Sequence, residues 1–215
     1  MTTYLQAVNE TLSRLRESSV ASVTTSAYST LIGKFINDSK RQVEDAWDWT
    51  CLATTITIPT VAGTSTYTVT GAGIRQRSVT VNDSTNLIQL RNVPIQWIID
   101  QQQLSSPASS VPCYYAWNGT DGTDSKVELF PTPMGVYSLK FNMTVPQVAL
   151  SADADIITVP SEPVIAGAVA RALVERGEDG GLSSSEAYAL FKSVLADYIS
   201  LEKERFAEYD CFVAN

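Results

Sequence analysis

Helical periodicity at both ends of the chain and a strand-like period between them predict an α+β fold: a helical bundle formed by the N- and C-terminal helices, with an antiparallel β-domain inserted. Apolar residues recur at steps of three and four up to about residue 50 and again after Pro160. Between these regions Thr, Val, Ile and Tyr alternate in short runs bounded by Gly, Pro and Asn-Asp turns. The composition permits a packed core, with 215 residues, 44% of them hydrophobic and 18% charged.

The first helix is predicted over residues 3–18, where Leu5, Val8, Leu12 and Leu15 fall on one side. Residues 18–26 are rich in Ser and Thr, which favour a connection and supply the next N-cap. A second helix is predicted over residues 27–50, with Leu31, Phe35, Ile36, Val43 and Trp47 inward and Lys34, Asp38, Arg41 and Asp45 toward solvent. Strands are predicted at 54–58, 66–70, 74–81, 87–90, 114–117, 127–130 and 136–145. Pro94 opens a short helix over 94–100, followed by an exposed loop over 101–112.

After Pro160, Ile165, Ala168, Val169, Ala172 and Leu173 form a small-residue helix face that stops at Gly177. Ser183 and Glu186 fit a capping box that opens a last helix, with Ala187, Phe191, Val194, Tyr198 and Leu201 inward. The domains expected are residues 1–52 with 160–215 as the helical part and 53–159 as the β insertion. Each set of helices alone leaves an apolar stripe in water, so the two are expected to pack together.

The chain contains no His, which excludes Ser-His-Asp and Cys-His catalysis and removes the commonest metal ligand. Cys51, Cys113 and Cys211 are odd in number and widely spaced, so reduced, partly buried thiols are expected. The acidic loops 121–124 and 151–155 lack the further ligands and closing Glu of a calcium loop, and the first reads as a solvated turn. Gly71-Ala72-Gly73 and the Gly-rich stretch 177–181 match no phosphate loop. Trp47 and Trp49 are expected in the core or an interface, and Arg75 and Arg77 on a solvated strand face. No catalytic, cofactor-binding or metal-binding residue is assigned.

The net charge of -8 argues against a surface that grips nucleic acid, yet it suits a conduit along which DNA slides. The opening Met1-Thr2-Thr3-Tyr4 does not read as a secretion signal, and no apolar run approaches the ~18 residues of a membrane span. The end of the chain carries Phe206, Tyr209, Phe212 and Val213, an apolar density unusual for a free tail. Such a segment either packs back on its own helices or docks on a partner.

The order of phrases is more specific than any single motif. A helix pair closes in Trp47-Asp48-Trp49, and the β region contains Val127-Glu128-Leu129-Phe130-Pro131-Thr132-Pro133 and Val136-Tyr137-Ser138-Leu139. Pro146-Gln147-Val148-Ala149-Leu150-Ser151 then leads through Ile156 and Val159-Pro160 into the helix 164–176 and a last helix bearing Tyr188. Over nearly its whole length the chain resembles the head-to-tail adaptor (connector) proteins of short-tailed bacteriophages, also called tail tubular protein A-like.

The resemblance implies a structural virion protein, not an enzyme, forming a homo-oligomeric ring of twelve copies. Such a ring sits on the portal at its helical end and meets a nozzle, tube or fibre protein of the tail at the other. DNA passes through its lumen without specific binding. The resemblance also implies residence in the neck of the virion, after assembly in the host bacterial cytoplasm without any membrane. Adaptors of this kind reach the portal through an extended C-terminal segment, which makes 206–215 a candidate docking arm with Tyr209, Phe212, Val213 and Asn215 as partner-binding residues. Two other readings are a head-completion protein of a long-tailed phage, disfavoured by the long β region, and a carbohydrate-binding adhesion module. The latter would stack sugars on Trp97, Tyr114, Tyr115 and Trp117.

Overall fold

The computed structural model describes residues 1–104, 109–177 and 182–205, and its fold is α+β. The helices among these residues are α1 (Tyr4–Arg14), α2 (Ala27–Ala46), α3 (Ile95–Leu104), α4 (Ser161–Arg176) and α5 (Leu182–Lys203). The longer strands are β1 (Ala53–Pro59), β2 (Thr66–Thr68), β3 (Arg77–Asp83), β4 (Ile88–Asn92), β6 (Tyr114–Thr120), β7 (Ser125–Phe130) and β9 (Ser138–Thr144). The two-residue strands β5 (Ser109–Ser110) and β8 (Thr132–Pro133) pair with each other. Internal contacts divide the chain into one unit of Met1–Cys51 with Gln147–Asn215 and a second of Leu52–Pro146. Among the described residues no helix is long and apolar enough to cross a membrane.

In the helical unit, α1 opens with a capping box in which Thr3 and Gln6 satisfy each other's backbone N–H groups. It ends earlier than residue 18 because Arg16 adopts φ 60°. The Arg16 and Glu17 N–H groups then turn back to the carbonyls of Ser13 and Leu12, at 3.0 and 2.9 Å. A second capping box, Ser26 with Ser29, opens α2. This helix stops at Ala46 and not near 50: Trp47 is extended, and the indole N–H of buried Trp49 donates to the Val43 carbonyl at 2.7 Å, satisfying one orphan acceptor of the last turn.

The inner face of α2 also differs from the expected one. Ile32, Ile36 and Val43 are fully buried together with Ser29, Ser39, Lys40 and Glu44, whereas Leu31, Phe35 and Trp47 are only half-buried. Lys40 Nζ sits 2.9 Å from Glu44 Oε1 and donates to the carbonyls of Gln147 and Val148 at 2.8 and 3.1 Å. The Asn37 side chain holds the Leu150 N–H and carbonyl, and the Val23 N–H donates to Asp153. These bonds are why residues 147–159, expected with the β segment, group with the helices instead.

The α4 helix packs against α1, α2 and α5 and is buried continuously from Pro163 to Ala168. Its small residues allow this approach: a Cβ at Gly167 would lie 3.0 Å from Ser39 Oγ and 3.2 Å from the Phe191 ring. Gly177 at φ 65° ends the helix. The α5 helix buries Ser184, Phe191, Leu195 and Glu202 but leaves Leu201 exposed, and Ser183 lies within it and not at its N-cap.

In the β unit the strand order is β1-β9-β3-β4-β6-β7-β2. Within this sheet pairing is antiparallel except between β4 and β6, so the expected antiparallel sheet contains one parallel step, spanned by α3, and the short β5–β8 pair is parallel too. The alternating inward residues form one core that includes Val81, Leu90, Val127, Leu129, Leu139, Phe141 and Met143, with Tyr115 and Val69. The α3 helix runs through residue 104, beyond the expected end at 100, and its Gln102 side chain donates to Glu128 of β7 at 3.2 Å.

Candidate functional site

The acidic loops fold on themselves. Asp121 Oδ1 accepts the Thr123 and Asp124 N–H groups at 2.9 and 2.8 Å, which lowers its pKa, and Asp124 Oδ1 accepts those of Gly71 and Gly73. Asp155 Oδ2 takes the Ser151 and Ala152 N–H groups at 2.7 and 2.8 Å, while its carbonyl receives the Tyr4 N–H at the start of α1. Asp121 and Asp155 therefore organise their own turns, while Asp124 and Asp153 tie their loops to distant backbone N–H groups. Among the described residues no group of three or more His, Cys, Asp or Glu is placed to hold a metal ion.

The aromatic side chains that would serve sugar stacking do not form one platform. Neighbours on β6 point to opposite faces, so Tyr115 lies in the core at 3% exposure while Tyr114 turns to Trp97, with ring centroids 4.9 Å apart. Trp97 also meets Phe130 edge-on at 5.6 Å, and Trp117 packs on Phe141 at 6.3 Å. Of the two arginines, Arg77 begins β3 and Arg75 precedes it, both exposed, and Cys51 and Cys113 are exposed as well, not partly buried as expected.

A carboxylate that sequence reasoning passed over is the polar node of the β unit. Glu128, 6% exposed, accepts Ser65 Oγ and Thr66 Oγ1 at 2.6 Å each, Gln102 Nε2 at 3.2 Å and Asn118 Nδ2 at 3.4 Å. Burial pushes its pKa up, but these donors outweigh burial and hold it below the ordinary value. The node ties β2, α3, β6 and β7 together, and it faces neutral donors, a structural arrangement. The alternation in Val127-Glu128-Leu129 marks Glu128 as outward, so only tertiary structure reveals its burial.

Two surfaces stand out as places for a partner. The first is the end of the sheet where Pro59 pairs with Ser138 and Asp83 with Leu139. Three loops meet there: Thr60 N–H donates to the Tyr137 carbonyl, Gly63 N–H to that of Pro133, and Ser84 N–H to that of Ser138. They expose Val61 at 59%, Leu87 at 88%, Met134 at 61% and Val136 at 71%, and residues 60–65, 84–87 and 133–137 carry no charged side chain. Leu87 is held at φ 58°, a costly conformation for a branched residue.

The second surface is a groove of about 730 Å³ between α2, α4 and α5, lined by Phe35, Ala170, Arg171, Val174 and Tyr188 among others. Arg171 makes its contacts there to neutral acceptors: Ser39 Oγ at 2.9 Å, Gln42 Oε1 at 2.8 Å and the Gly167 carbonyl at 3.3 Å. The Tyr188 hydroxyl is lowered in pKa by hydrogen bonds from Gln42 and Lys192 and by the charges of Lys192 and Arg171. Tyr209, Phe212, Val213 and Asn215, the residues expected to bind a partner, lie outside the described residues.

A fold whose carboxylates cap its own turns, and which presents apolar surfaces at its loops and helices, has the character of a structural and interaction protein. The chain matches the SU10 adaptor protein family over residues 2–210, and it belongs to that family. It is thus a phage adaptor protein. No curated protein matches the sequence.

Proposed function

We propose that the protein is a non-enzymatic head-to-tail adaptor, forming a ring between portal and tail and leaving a channel for DNA. The family match over nearly the whole chain carries this reading. The architecture it implies is a bundle made from both ends of the chain with the β unit inserted between them. The charge-free apolar loops at the end of the β unit suit contact with a tail nozzle or tube protein, because such a surface is costly to leave in water and carries no charge to desolvate. The net charge of -8 suits a lumen that DNA traverses without being held.

Ring closure requires heterologous contacts, one face of each subunit meeting a different face of the next, and twelve copies is the stoichiometry proposed. Residues 206–215, with Tyr209, Phe212, Val213 and Asn215, act as an arm that docks on the portal. The work of such a protein is in the virion neck, following assembly in the host cytoplasm. Light scattering and negative-stain imaging of the full chain, alone and mixed with the portal protein, test the reading. Rings, alone or on the portal, are expected, whereas a chain that stays monomeric and never joins the portal would sink it.

A further inference from the structure

The large sheet of the β unit ends in two unlike edges. At one, β2 is three residues long and leads into Gly71 at φ 88°, a short edge that offers little to a further strand. At the other, β1 is seven residues long, pairs with β9 without a bulge, and has no Lys and no Pro before its last residue. The devices that normally blunt an edge are therefore missing from β1. Although β2 follows β1 across the short loop 60–65, it pairs with β7 instead. A Cβ on Gly71 would stand 3.9 Å from Ile56 Cδ1, so β1 and the end of β2 meet through a side chain and not through backbone bonds.

Register identifies the backbone groups left over. The Leu52 carbonyl accepts the Val145 N–H at 3.0 Å, and the Thr60 N–H donates to the Tyr137 carbonyl at 2.9 Å. Both pairs continue the β1–β9 register, so Thr54, Ile56 and Ile58 bond to β9, while Ala53, Thr55 and Thr57 turn their N–H and C=O groups away from it. Those outward groups meet no partner among the described residues, and all three residues are exposed. On the core side Ile56 and Ile58 are only half-buried, whereas Phe141 and Leu139, opposite them on β9, are 0% and 1% exposed. A strand added here satisfies the outward groups and covers both isoleucines.

We propose that β1 is the acceptor for an extended segment of the tail protein, which joins the sheet as a further strand. Residues 52–74 carry no charged side chain in a chain that is 18% charged, and along β1 and β9 the only charge is Lys140, opposite Thr57. The segment selected is thus uncharged on the core side, with apolar side chains at alternate positions over Ile56 and Ile58 and small polar ones beside Thr55 and Thr57. Continuity names the source: Pro59, the last residue of β1, opens the loop 60–65, one of the three apolar loops assigned above to tail contact. The inference rests on that assignment and extends it from the loops to the edge beside them.

Amide hydrogen exchange of the full chain, alone and mixed with the purified nozzle or tube protein of the same phage, tests it. The Ala53, Thr55 and Thr57 amides are expected to slow at least ~10-fold in the mixture. Because these N–H groups do not face β9, Thr55→Pro combined with Thr57→Pro should keep the urea midpoint of the parent chain yet weaken the complex at least ~10-fold. Thr57→Lys, which retains every N–H, is the second variant and should weaken it as well. Unchanged affinity in both variants would overturn the proposal. Slowing confined to residues 60–65, 84–87 and 133–137 would also overturn it, while leaving tail contact at the loops standing. Slowing at β1 in the chain alone, as rings form, would put a second copy on this edge and remove the tail protein as its source. No complex at all would overturn the loop assignment together with the strand.

Discussion

At the scale of single residues, the buried ion pair on α2 is the clearest case of tertiary structure overriding pattern. Lys40 and Glu44, 2% and 1% exposed, sit where the helical period calls for apolar residues, and nothing local signals that Lys40 will hold the carbonyls of Gln147 and Val148. Lys40→Met leaves Glu44 buried without its cation and frees two carbonyls, so a loss of about 3 kcal/mol in urea unfolding is expected. Adding Glu44→Leu should recover only part of it, since the buried carboxylate is removed but the two carbonyls, and the Gln147 N–H that Glu44 accepts, lose these partners. Glu128 gives a pH signature. Its folded pKa lies below the ordinary 4.5, so its stabilisation is fully present above that value and fades as pH falls through the folded one. Glu128→Gln should therefore lower the urea midpoint at neutral pH and flatten its fall on acidification below about pH 4.5, relative to the parent chain. A variant with an unchanged acid limb would mean that other carboxylates dominate it.

Elements were legible where one face alone decides. The steps Val8-Leu12-Leu15 and the alternation along β9 each reflect one buried side, and the helix and strand appear where those periods place them. Their ends were less legible, because the αL turn at Arg16 and the return of Trp49 to Val43 are tertiary or conformational choices that common residues do not announce. The α3 helix ran past Asp100 because Gln102 has a distant partner in Glu128, and the parallel step from β4 to β6 left no local sign. By contrast, the small-residue face of α4 did forecast close packing, and Gly167 is its tightest point. Gly167→Leu must drive side-chain atoms into Ser39 and Phe191, and about 1–3 kcal/mol of destabilisation is expected from overpacking, read as a lower thermal midpoint. Gly167→Ala is the milder control, since its better helix propensity of up to about 1 kcal/mol offsets part of the 3.0 Å contact.

For the whole molecule, the order of phrases along the chain made the adaptor class legible, while the candidate arm lies outside the described residues, and the groove between α2, α4 and α5 joins α2 to helices more than a hundred residues further along the chain. Net charge is the other whole-chain property that carried information, and it leads to a test of how the proposed ring treats DNA. A ring that threads a genome must not retain it, and each phosphate held by Lys or Arg would add salt-dependent friction. With 15 basic against 23 acidic side chains, the subunit offers no excess of cations to release counterions. Assembled rings titrated against short duplex DNA at ~50 mM salt, where electrostatic binding is strongest, should show no saturable anisotropy change up to micromolar protein. Micromolar affinity that weakens steeply as salt rises would instead place a concentrated basic band inside the ring, and the protein would then have to be read as a DNA clamp in place of a passive conduit.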